Sequence, residues 1–283
     1  MNILTFDIED WFHINFEKSF NREIRWDSFE SRVEENTDII LEILEQNGTK
    51  ATFFCLGWIA RKHPNVLRKI LGLGHDIASH SDIHNLASNL TVSEFEMDLK
   101  KSIYSIEDIT GKKISMYRAP AFSIGKNNLW AFEILAQNGI EIDCSVFPAK
   151  HDFGGFADIG ETTPFRLKYN HSILKEFPMS TANVFGKNIV ITGGGFFRLY
   201  PYWLIRRHIS DKSYIMTYFH PRDIDKEQPI LKGLSHIRKF KSYYGLKYSL
   251  NKFSRLISEF NFLSISEADK LITWNDIKLI DIN

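Results

Sequence analysis

Cysteine and long apolar runs are scarce in this sequence of 283 residues. Cysteine occurs only at positions 55 and 144, and two cysteines in no metal-binding or redox spacing exclude a disulfide scaffold and a zinc ribbon. No stretch approaches the roughly 18 consecutive apolar residues of a membrane-spanning helix. Acidic residues begin at Asp7, so the N-terminus lacks the basic and apolar segments of a signal peptide. We therefore expect a cytoplasmic protein.

A net charge of either sign is also missing. Lys plus Arg and Asp plus Glu number 35 each, so no global electrostatic field attracts nucleic acid or an acidic polymer. Apolar residues make up 43% of a chain that is long enough to bury a sizeable core. The 23 phenylalanines suit either a packed core or a cleft that stacks on sugar rings. The composition does not decide between the two.

One arrangement recurs in the first half of the chain: a helical pattern ends in glycine, and a short β-rich run follows. “ILEILEQNG” leads to “KATFFCLG” in this way. The glycines stand where a helix end favours a left-handed residue, and they are Gly48, Gly74, Gly111 and Gly139. Repeated helix–strand units predict parallel strands joined by crossover helices, hence an α/β sheet or barrel.

The pattern loosens after residue 150. A long loop, short strands and a Gly-rich turn that opens an aromatic helix precede a helical, basic tail from about residue 232. A basic amphipathic helix can lie on a membrane surface, but we expect this tail to pack on the domain with its lysines in solvent. We predict one domain over residues 1–230 and an extension over residues 231–283 that packs on it.

The ends of the predicted strands carry ionisable residues one after another. In parallel α/β folds, ligands bind at the carboxyl ends of the strands. Here those ends read “DIED” at 7–10, “HSDIH” at 80–84, “RAP” at 118–120, “DCS” at 143–145, “EFP” at 176–178 and “HP” at 220–221. Such convergence is harder to produce by chance than any single motif, so we expect these groups to share one rim.

Taken singly, each motif has an ordinary alternative. “HSDIH” on one helical turn would place both imidazoles on one face, within reach of one metal ion, but it can equally be a capped helix start. “DIED” can be an exposed acidic turn, Arg118 a surface residue and His220 a buried histidine.

Together the motifs form a chemical set. Two histidines and one carboxylate leave open positions on a divalent metal, which then activates a water molecule. A second carboxylate, held ionised by an arginine, can take the proton from that water. A further histidine can protonate a departing amine. The set predicts an amide hydrolase.

These residues, in this order, resemble the polysaccharide deacetylase family with the NodB-type fold (carbohydrate esterase family 4 and its relatives) over roughly residues 1–225. “GGGFFRLYPYWLIRR” and “FHPRDID” resemble the exopolysaccharide-cluster deacetylases found beside PEP-CTERM/exosortase systems. The resemblance implies an α/β fold, a distorted (β/α) barrel with a helical C-terminal extension, and a catalytic domain over residues 1–230. It also implies hydrolytic removal of acetyl groups from an N-acetylated sugar with a divalent metal: Zn²⁺, or else Co²⁺, Mn²⁺ or Ni²⁺.

The resemblance assigns roles to five residues directly. Asp7 matches the catalytic base, and His80 and His84 match the metal histidines of the H-[ST]-x-x-H motif. Arg118 and Pro120 match the R-x-P motif, whose arginine steadies the base.

Other roles are assigned with alternatives. His220 matches the late histidine that protonates the leaving nitrogen, Asp143 is the candidate to orient it, and Phe122 is a candidate for contact with the sugar. The family usually places base and metal aspartates side by side, whereas “TFDIED” separates them. Strand alternation places Glu9 on the same face as the base, and a bulge could present Asp10 instead. Both stay candidate metal ligands.

The expected substrate is an N-acetylated glycan or a glycolipid-linked precursor, with no nucleic acid partner and at most peripheral contact with the inner membrane. One alternative within the fold is an allantoinase-like hydrolase of cyclic amides or imides. A second alternative is a carbohydrate-binding relative without turnover.

Overall fold

The structure is a computed structural model that describes residues 1–14, 22–150, 152–184 and 186–283. Its strands are β1 (Asn2–Ile3), β2 (Thr5–Ile8), β3 (Thr52–Cys55), β4 (Asp76–Ser79), β5 (Met116–Tyr117), β6 (Ile142–Asp143), β7 (Phe165–Tyr169), β8 (Ser172–Glu176), β9 (Ala182–Val184), β10 (Lys187–Ile189), β11 (Ile215–Met216) and β12 (Leu279–Asp281). Its α-helices are α1 (Arg22–Trp26), α2 (Val33–Gln46), α3 (Gly57–Lys62), α4 (Pro64–Gly72), α5 (Val92–Thr110), α6 (Trp130–Gln137), α7 (Gly194–Leu199), α8 (Tyr202–Ser210), α9 (His236–Tyr243), α10 (Leu246–Glu259) and α11 (Ile265–Leu271). Short 3-10 helices lie at Trp11–Ile14, Ala87–Asn89, Pro120–Phe122, Pro221–Asp223 and Trp274–Asp276.

The main sheet has eight strands in the order β12-β7-β8-β6-β5-β4-β3-β2. All neighbouring pairs are parallel except the β7–β8 hairpin. Beyond β2 the sheet continues through residues 217–219, because the Asp7 N–H donates to the Phe219 carbonyl at 2.8 Å and the Phe219 N–H donates to the Thr5 carbonyl at 3.1 Å. The parallel sheet with crossover helices is the architecture that the helix–strand repeats predict.

Strand β2 places apolar side chains on one face of the sheet and polar site residues on the other. Phe6 packs on Phe53 of β3, with ring centroids 4.9 Å apart, and on Phe253 of α10, at 5.8 Å. Because successive strand side chains point to opposite faces, Thr5 and Asp7 lie on the other face. The buried strand therefore presents one carboxylate to the interior of the curved sheet.

The C-terminal extension packs on the same sheet and is mainly helical, as expected. Helix α10 buries Phe253, Leu256 and Ile257. The extension also contributes a strand, since β12 pairs in parallel with β7 in the register Ile280↔Leu167. The β-branched residues Ile280 and Ile282 favour a strand here. The division at residue 230 stays a prediction.

Helix α9 differs from the rest of the extension because it buries none of its side chains. It contacts α7, and Ile237 and Phe240 on it are 71% and 51% exposed. Across the described residues, every helix is too short or too polar to cross a membrane.

Candidate active site

Five buried side chains meet at the carboxyl ends of β2 and β4 and of the segment after β11. Oε1 of Glu9 lies 3.2 Å from Nε2 of His80, 3.0 Å from Nε2 of His84 and 3.7 Å from Nε2 of His220. Oδ2 of Asp7 lies 4.0 Å from Nε2 of both His80 and His220. The structure thus brings together the base, both metal histidines and the late histidine of the sequence analysis.

The “HSDIH” segment reaches this geometry as a loop and not as the helical turn that its spacing suggested. Ser81 and His84 have φ values of 72° and 56°, in the left-handed region. This reversal corrects the helical interpretation, yet it still directs both imidazoles to Glu9. Such conformations cost about 1–3 kcal/mol each and cluster at functional sites.

Ion pairs of Asp82 hold the loop of residues 80–84 in place. Its carboxylate pairs with Arg61 at 2.5 Å and with Lys101 at 2.7 Å. The Gly57 N–H donates to the Ser81 carbonyl at 3.0 Å. A Cβ atom at position 57 would lie 2.3 Å from Oδ1 of Asp82, so the glycine permits the close approach of α3 to this loop.

The donor set of Glu9, His80 and His84 fits a divalent metal. Nδ1 of His80 lies 2.8 Å from the Arg118 carbonyl, which can only accept, so the proton of a neutral His80 is on Nδ1. Its Nε2 lone pair then faces a carboxylate oxygen of Glu9. With a neutral His80, a cation between these two acceptors would satisfy both, and all three ligand atoms lie within 4.8 Å of one another.

Electrostatics in this group favour an ionised Glu9. Burial raises the pKa of Glu9, but the charges of His84 and His220 and hydrogen bonds from His80 and His84 outweigh it. The pKa of this carboxyl therefore lies well below its usual value. A buried anion of this kind is a ready metal ligand.

Asp10, the other candidate metal carboxylate, lies outside this group. Its Oδ1 accepts the Trp11 N–H at 2.8 Å, and its Oδ2 accepts Ser31 Oγ at 2.5 Å. The N–H groups of Arg32 and Val33 also donate to Oδ2, at 3.0 and 3.3 Å. Asp10 thus accepts the hydrogen bonds of N–H groups at the start of α2. Of the two candidate metal carboxylates, the structure places Glu9 beside the histidines and Asp10 away from them.

The Asp7 carboxylate is held by a buried arginine. Nη1 of Arg118 donates to Oδ1 of Asp7 at 2.8 Å and to Oγ1 of Thr5 at 2.7 Å. Arg118 is fully buried and lies over the ring of Phe54, 4.1 Å from its centroid. Sequence reasoning missed Thr5, although the period of two in β2 places it on the face of Asp7.

The segment after Arg118 forms one wall of the site. Pro120 is buried and starts a 3-10 helix in which Ala121 and Phe122 have φ values of 49° and 51°. Ala121 and Phe122 line the cavity in front of Asp7 and Glu9. Phe122, the predicted sugar contact, packs edge-on against Tyr218, with centroids 5.4 Å apart.

The acid that orients His220 is Asp223, which corrects the expectation of Asp143. Oδ2 of Asp223 accepts from Nδ1 of His220 at 2.8 Å and from the His220 N–H at 2.9 Å. Arg198 pairs with Oδ1 of Asp223. Burial lowers the pKa of His220, but the charges of Asp223 and Glu9 outweigh it and leave that pKa raised.

Asp143 is engaged elsewhere. It accepts from Oγ of Ser145 at 2.7 Å and from the Ser145 N–H at 3.0 Å. It lies beside Glu176, whose pKa is raised well above its usual value by burial and by the charge of Asp143. The correct partner had a local signal, since His220 and Asp223 are three residues apart, the spacing of a capping box.

These groups face a cavity of about 310 Å³. Its lining includes Asp7, Glu9, His84 and His220 on one side, and Phe122, Phe153 and Tyr218 on another. The arrangement can hold a cation, take a proton at Asp7 and donate a proton at His220.

Comparisons with known proteins divide the chain into two matched regions. Residues 17–141 match the model of the polysaccharide deacetylase family, and residues 144–270 match that of a domain of unknown function, DUF3473. The site draws on both regions, since His80 and Arg118 lie in the first and His220 lies in the second.

Among curated proteins, a peptidoglycan-N-acetylglucosamine deacetylase of Bacillus cereus is 34% identical over 113 residues, which are 40% of this chain and 40% of that protein. The chain spans less than half the length of the curated relatives that it matches.

Two solved structures support the fold. One, assigned as a polysaccharide deacetylase from Mycobacterium smegmatis, superposes with a TM-score of 0.69 at 17% identity and covers 100% of this chain and 93% of that chain. A CE4 family pseudoenzyme from Bacillus anthracis gives a TM-score of 0.50 at 14% identity over 99% of this chain and 66% of that chain. At these identities the likeness shows the fold alone, and it confirms the expected α/β architecture, a distorted (β/α) barrel.

Proposed function

We propose that this chain, of which residues 17–141 match the polysaccharide deacetylase family, is a metal-dependent hydrolase that removes N-acetyl groups from a sugar of a polysaccharide or its precursor. One observation carries this proposal. A carboxylate paired with arginine, a His–His–Glu group and a histidine paired with aspartate face a single cavity. We place this activity in the cytoplasm, as part of the proposal.

Glu9, His80 and His84 would hold the metal. Two imidazoles and one carboxylate suit Zn²⁺ and leave a position for other ligands, and Co²⁺, Mn²⁺ and Ni²⁺ accept the same donors. When bound, such an ion acts as a Lewis acid on an amide carbonyl and lowers the pKa of a water molecule. Nδ1 of His80, fixed by the Arg118 carbonyl, keeps its ring in the orientation that this role requires.

Asp7 is the proposed general base. Arg118 occupies Oδ1, which leaves Oδ2 directed toward the histidines. The ion pair with the guanidinium holds the carboxylate in this orientation. Oδ2 can therefore accept the proton of a water molecule as its oxygen bonds to the acetyl carbon.

His220 is the proposed general acid. Because Asp223 binds Nδ1, the proton on Nε2 faces the cavity. As the C–N bond breaks, Nε2 donates this proton to the amine nitrogen, and acetate is the second product. The Phe122 N–H donates to the Ala119 carbonyl, so the Ala121 N–H is the remaining backbone candidate for stabilising negative charge on the carbonyl oxygen.

The test is acetate release from N-acetylhexosamine oligomers by Zn²⁺-loaded protein. We expect turnover by the native chain, and no measurable turnover by Asp7→Asn, which should still bind near-stoichiometric metal because Asp7 lies outside the His–His–Glu group. An Asp7→Asn variant that keeps the native rate would exclude the mechanism. Hydrolysis of cyclic amides alone, or glycan binding without acetate release, would favour the alternatives named above.

A further inference from the structure

A cluster of positive charge lies at the edge of the catalytic cavity and has no part in the proposed chemistry. Arg222, Arg238 and Lys241 line this cavity together with the catalytic groups. Asp7 is paired with Arg118, and Glu9 lies among the imidazoles. Among the described lining residues, the acid besides these two is Asp152.

Arg222 is the strongest indication that this edge binds an anion. Its Nε and Nη1 are buried, and within the described ranges neither has a hydrogen-bond partner. The nearest acid in sequence, Asp223, is already engaged by Arg198 and His220. Buried donors without acceptors are costly, and a guanidinium matches the oxygens of carboxylate or phosphate.

The other two cations lie on one helix at the edge of the cavity. Arg238 and Lys241 are three residues apart on α9, so they share a face of the helix. The end of this helix is anchored by Arg198, whose Nη2 donates to the carbonyls of Lys241 and Ser242 at 2.9 and 3.0 Å. The same arginine binds the acid that orients His220, so the cationic edge is built into the site.

A second cavity, of about 200 Å³, adjoins the first and shares Arg222 and Lys241 with it. Its other walls are largely apolar and include Phe196, Leu199, Phe240 and Tyr244. Leu199 and Phe240 are 40% and 51% exposed. A molecule that extends from the catalytic cavity across the cations would therefore meet an apolar surface.

We propose that Arg222, Arg238 and Lys241 bind a phosphate or pyrophosphate ester carried by the acetylated sugar, and that its carrier group lies in the adjoining apolar cavity. This inference rests on the proposed deacetylase function and specifies its substrate class as a glycosyl phosphate. The carrier can be an isoprenoid or a nucleoside, since both attach to sugars through pyrophosphate and both present apolar or aromatic surface.

The test compares acetate release from four forms of N-acetylglucosamine: the methyl glycoside, the 1-phosphate, and the pyrophosphates of uridine and of a short isoprenyl alcohol. We expect kcat/KM to be about tenfold higher or more for the phosphorylated forms. That advantage should shrink as salt screens the charges. A better isoprenyl or uridine substrate identifies the carrier, and equal values for all four forms would overturn the inference.

Substitutions of single residues measure how much each cation contributes to the preference for phosphorylated substrate. Arg222→Gln and Lys241→Gln should each lower the ratio of kcat/KM between phosphorylated and neutral substrate about tenfold. Lys241 is exposed, so its substitution does not threaten folding. Lys239→Gln, on the same helix but outside both cavities, is the matched control and should leave the ratio unchanged. An unchanged ratio in both cavity variants would refute the assignment.

If neither the four forms nor the N-acetylhexosamine oligomers release acetate, the proposed function fails, and calorimetric binding then decides the inference separately. Phosphorylated forms should bind at least tenfold more tightly than the methyl glycoside to the metal-loaded protein, and Arg222→Gln should remove the difference. Equal affinities would reject the phosphate site.

Discussion

Arg118 contacts the two halves of the candidate site through different atoms. Its backbone carbonyl accepts Nδ1–H of His80 at 2.8 Å, and its guanidinium donates to Asp7 at 2.8 Å. One residue therefore orients a proposed metal ligand and the proposed base together. The first contact survives any side-chain substitution at position 118, whereas the second does not.

This division predicts the effect of Arg118→Lys. The variant keeps a positive charge, but the lysine ammonium does not take the position of Nη1, from which Arg118 donates to both Asp7 and Thr5. We expect kcat to fall about 10- to 100-fold while the zinc content of the purified protein stays near the native value. Elemental analysis beside the acetate assay measures both. Loss of zinc in parallel with activity would show that the side chain, and not the carbonyl, supports the metal group.

Glu9 and Asp10 should separate metal binding from stability. Glu9→Gln removes the charge that faces three imidazoles, so we expect zinc to drop to a small fraction of one ion per chain. Asp10→Ala should retain zinc but lose about 1–2 kcal/mol of unfolding free energy, because the N–H groups at the start of α2 lose their acceptor. Metal analysis and urea unfolding of both variants check this. Zinc loss confined to Asp10→Ala would reverse the assignment.

Asp223 and Asp143 form a second matched pair. Asp223→Asn leaves one side-chain oxygen, which Arg198 requires, so the amide NH2 faces Nδ1 of His220 and no longer fixes its Nδ1–H tautomer. We therefore expect kcat to fall roughly 10²- to 10⁴-fold. Asp143→Asn keeps an oxygen for Ser145 and should lower kcat much less. Circular dichroism verifies folding of both variants. Equal losses in kcat would indicate that Asp143 also affects the proposed general acid, His220.

His75 should make folding stability depend on pH. Burial, with a smaller contribution from Lys50, lowers the pKa of His75 from 6.5 to about 4. Between pH 6.5 and about pH 4, His75 is therefore protonated in the unfolded chain but neutral in the folded chain. Stability should fall by up to about 3 kcal/mol over this interval.

His75→Asn tests this dependence without removing the native hydrogen bond. The side-chain oxygen of asparagine can replace Nδ1 as acceptor of the Ala51 N–H, which lies at 3.3 Å. Urea unfolding at pH 7.5, 5.5 and 4.5 should show that the variant loses less stability on acidification than the native chain. Identical pH dependence in the two proteins would refute the role of His75.

Much of the site could be predicted because parallel strands deliver their carboxyl ends to one edge. Asp7, His80, Arg118 and His220 each follow or end a strand, so sequence order and the sheet rule sufficed to bring them together. The helix–strand repeats also predicted the parallel sheet, because the residues that form each helix and its following strand are contiguous in the sequence.

The remaining features depend on loop geometry that spacing does not determine. The positive φ values of Ser81 and His84, the turn that presents Glu9 but withdraws Asp10, and the choice of Asp223 over Asp143 all arise from tertiary contacts. The strand β12 was missed because three residues at a sheet edge give little periodic signal.

The hydrogen bond between Asp7 and Phe219 joins residues that lie 212 positions apart along the chain. During synthesis, one edge of β2 stays open until residues 217–219 have left the ribosome. Glu9, His80, His84 and the Arg118 carbonyl that orients His80 all lie within the first 118 residues, so the proposed metal group can form before His220 arrives. We expect the docking of this late segment to be the slow step of maturation, because closing so long a loop is entropically costly, and the nascent enzyme should stay inactive until that step is complete.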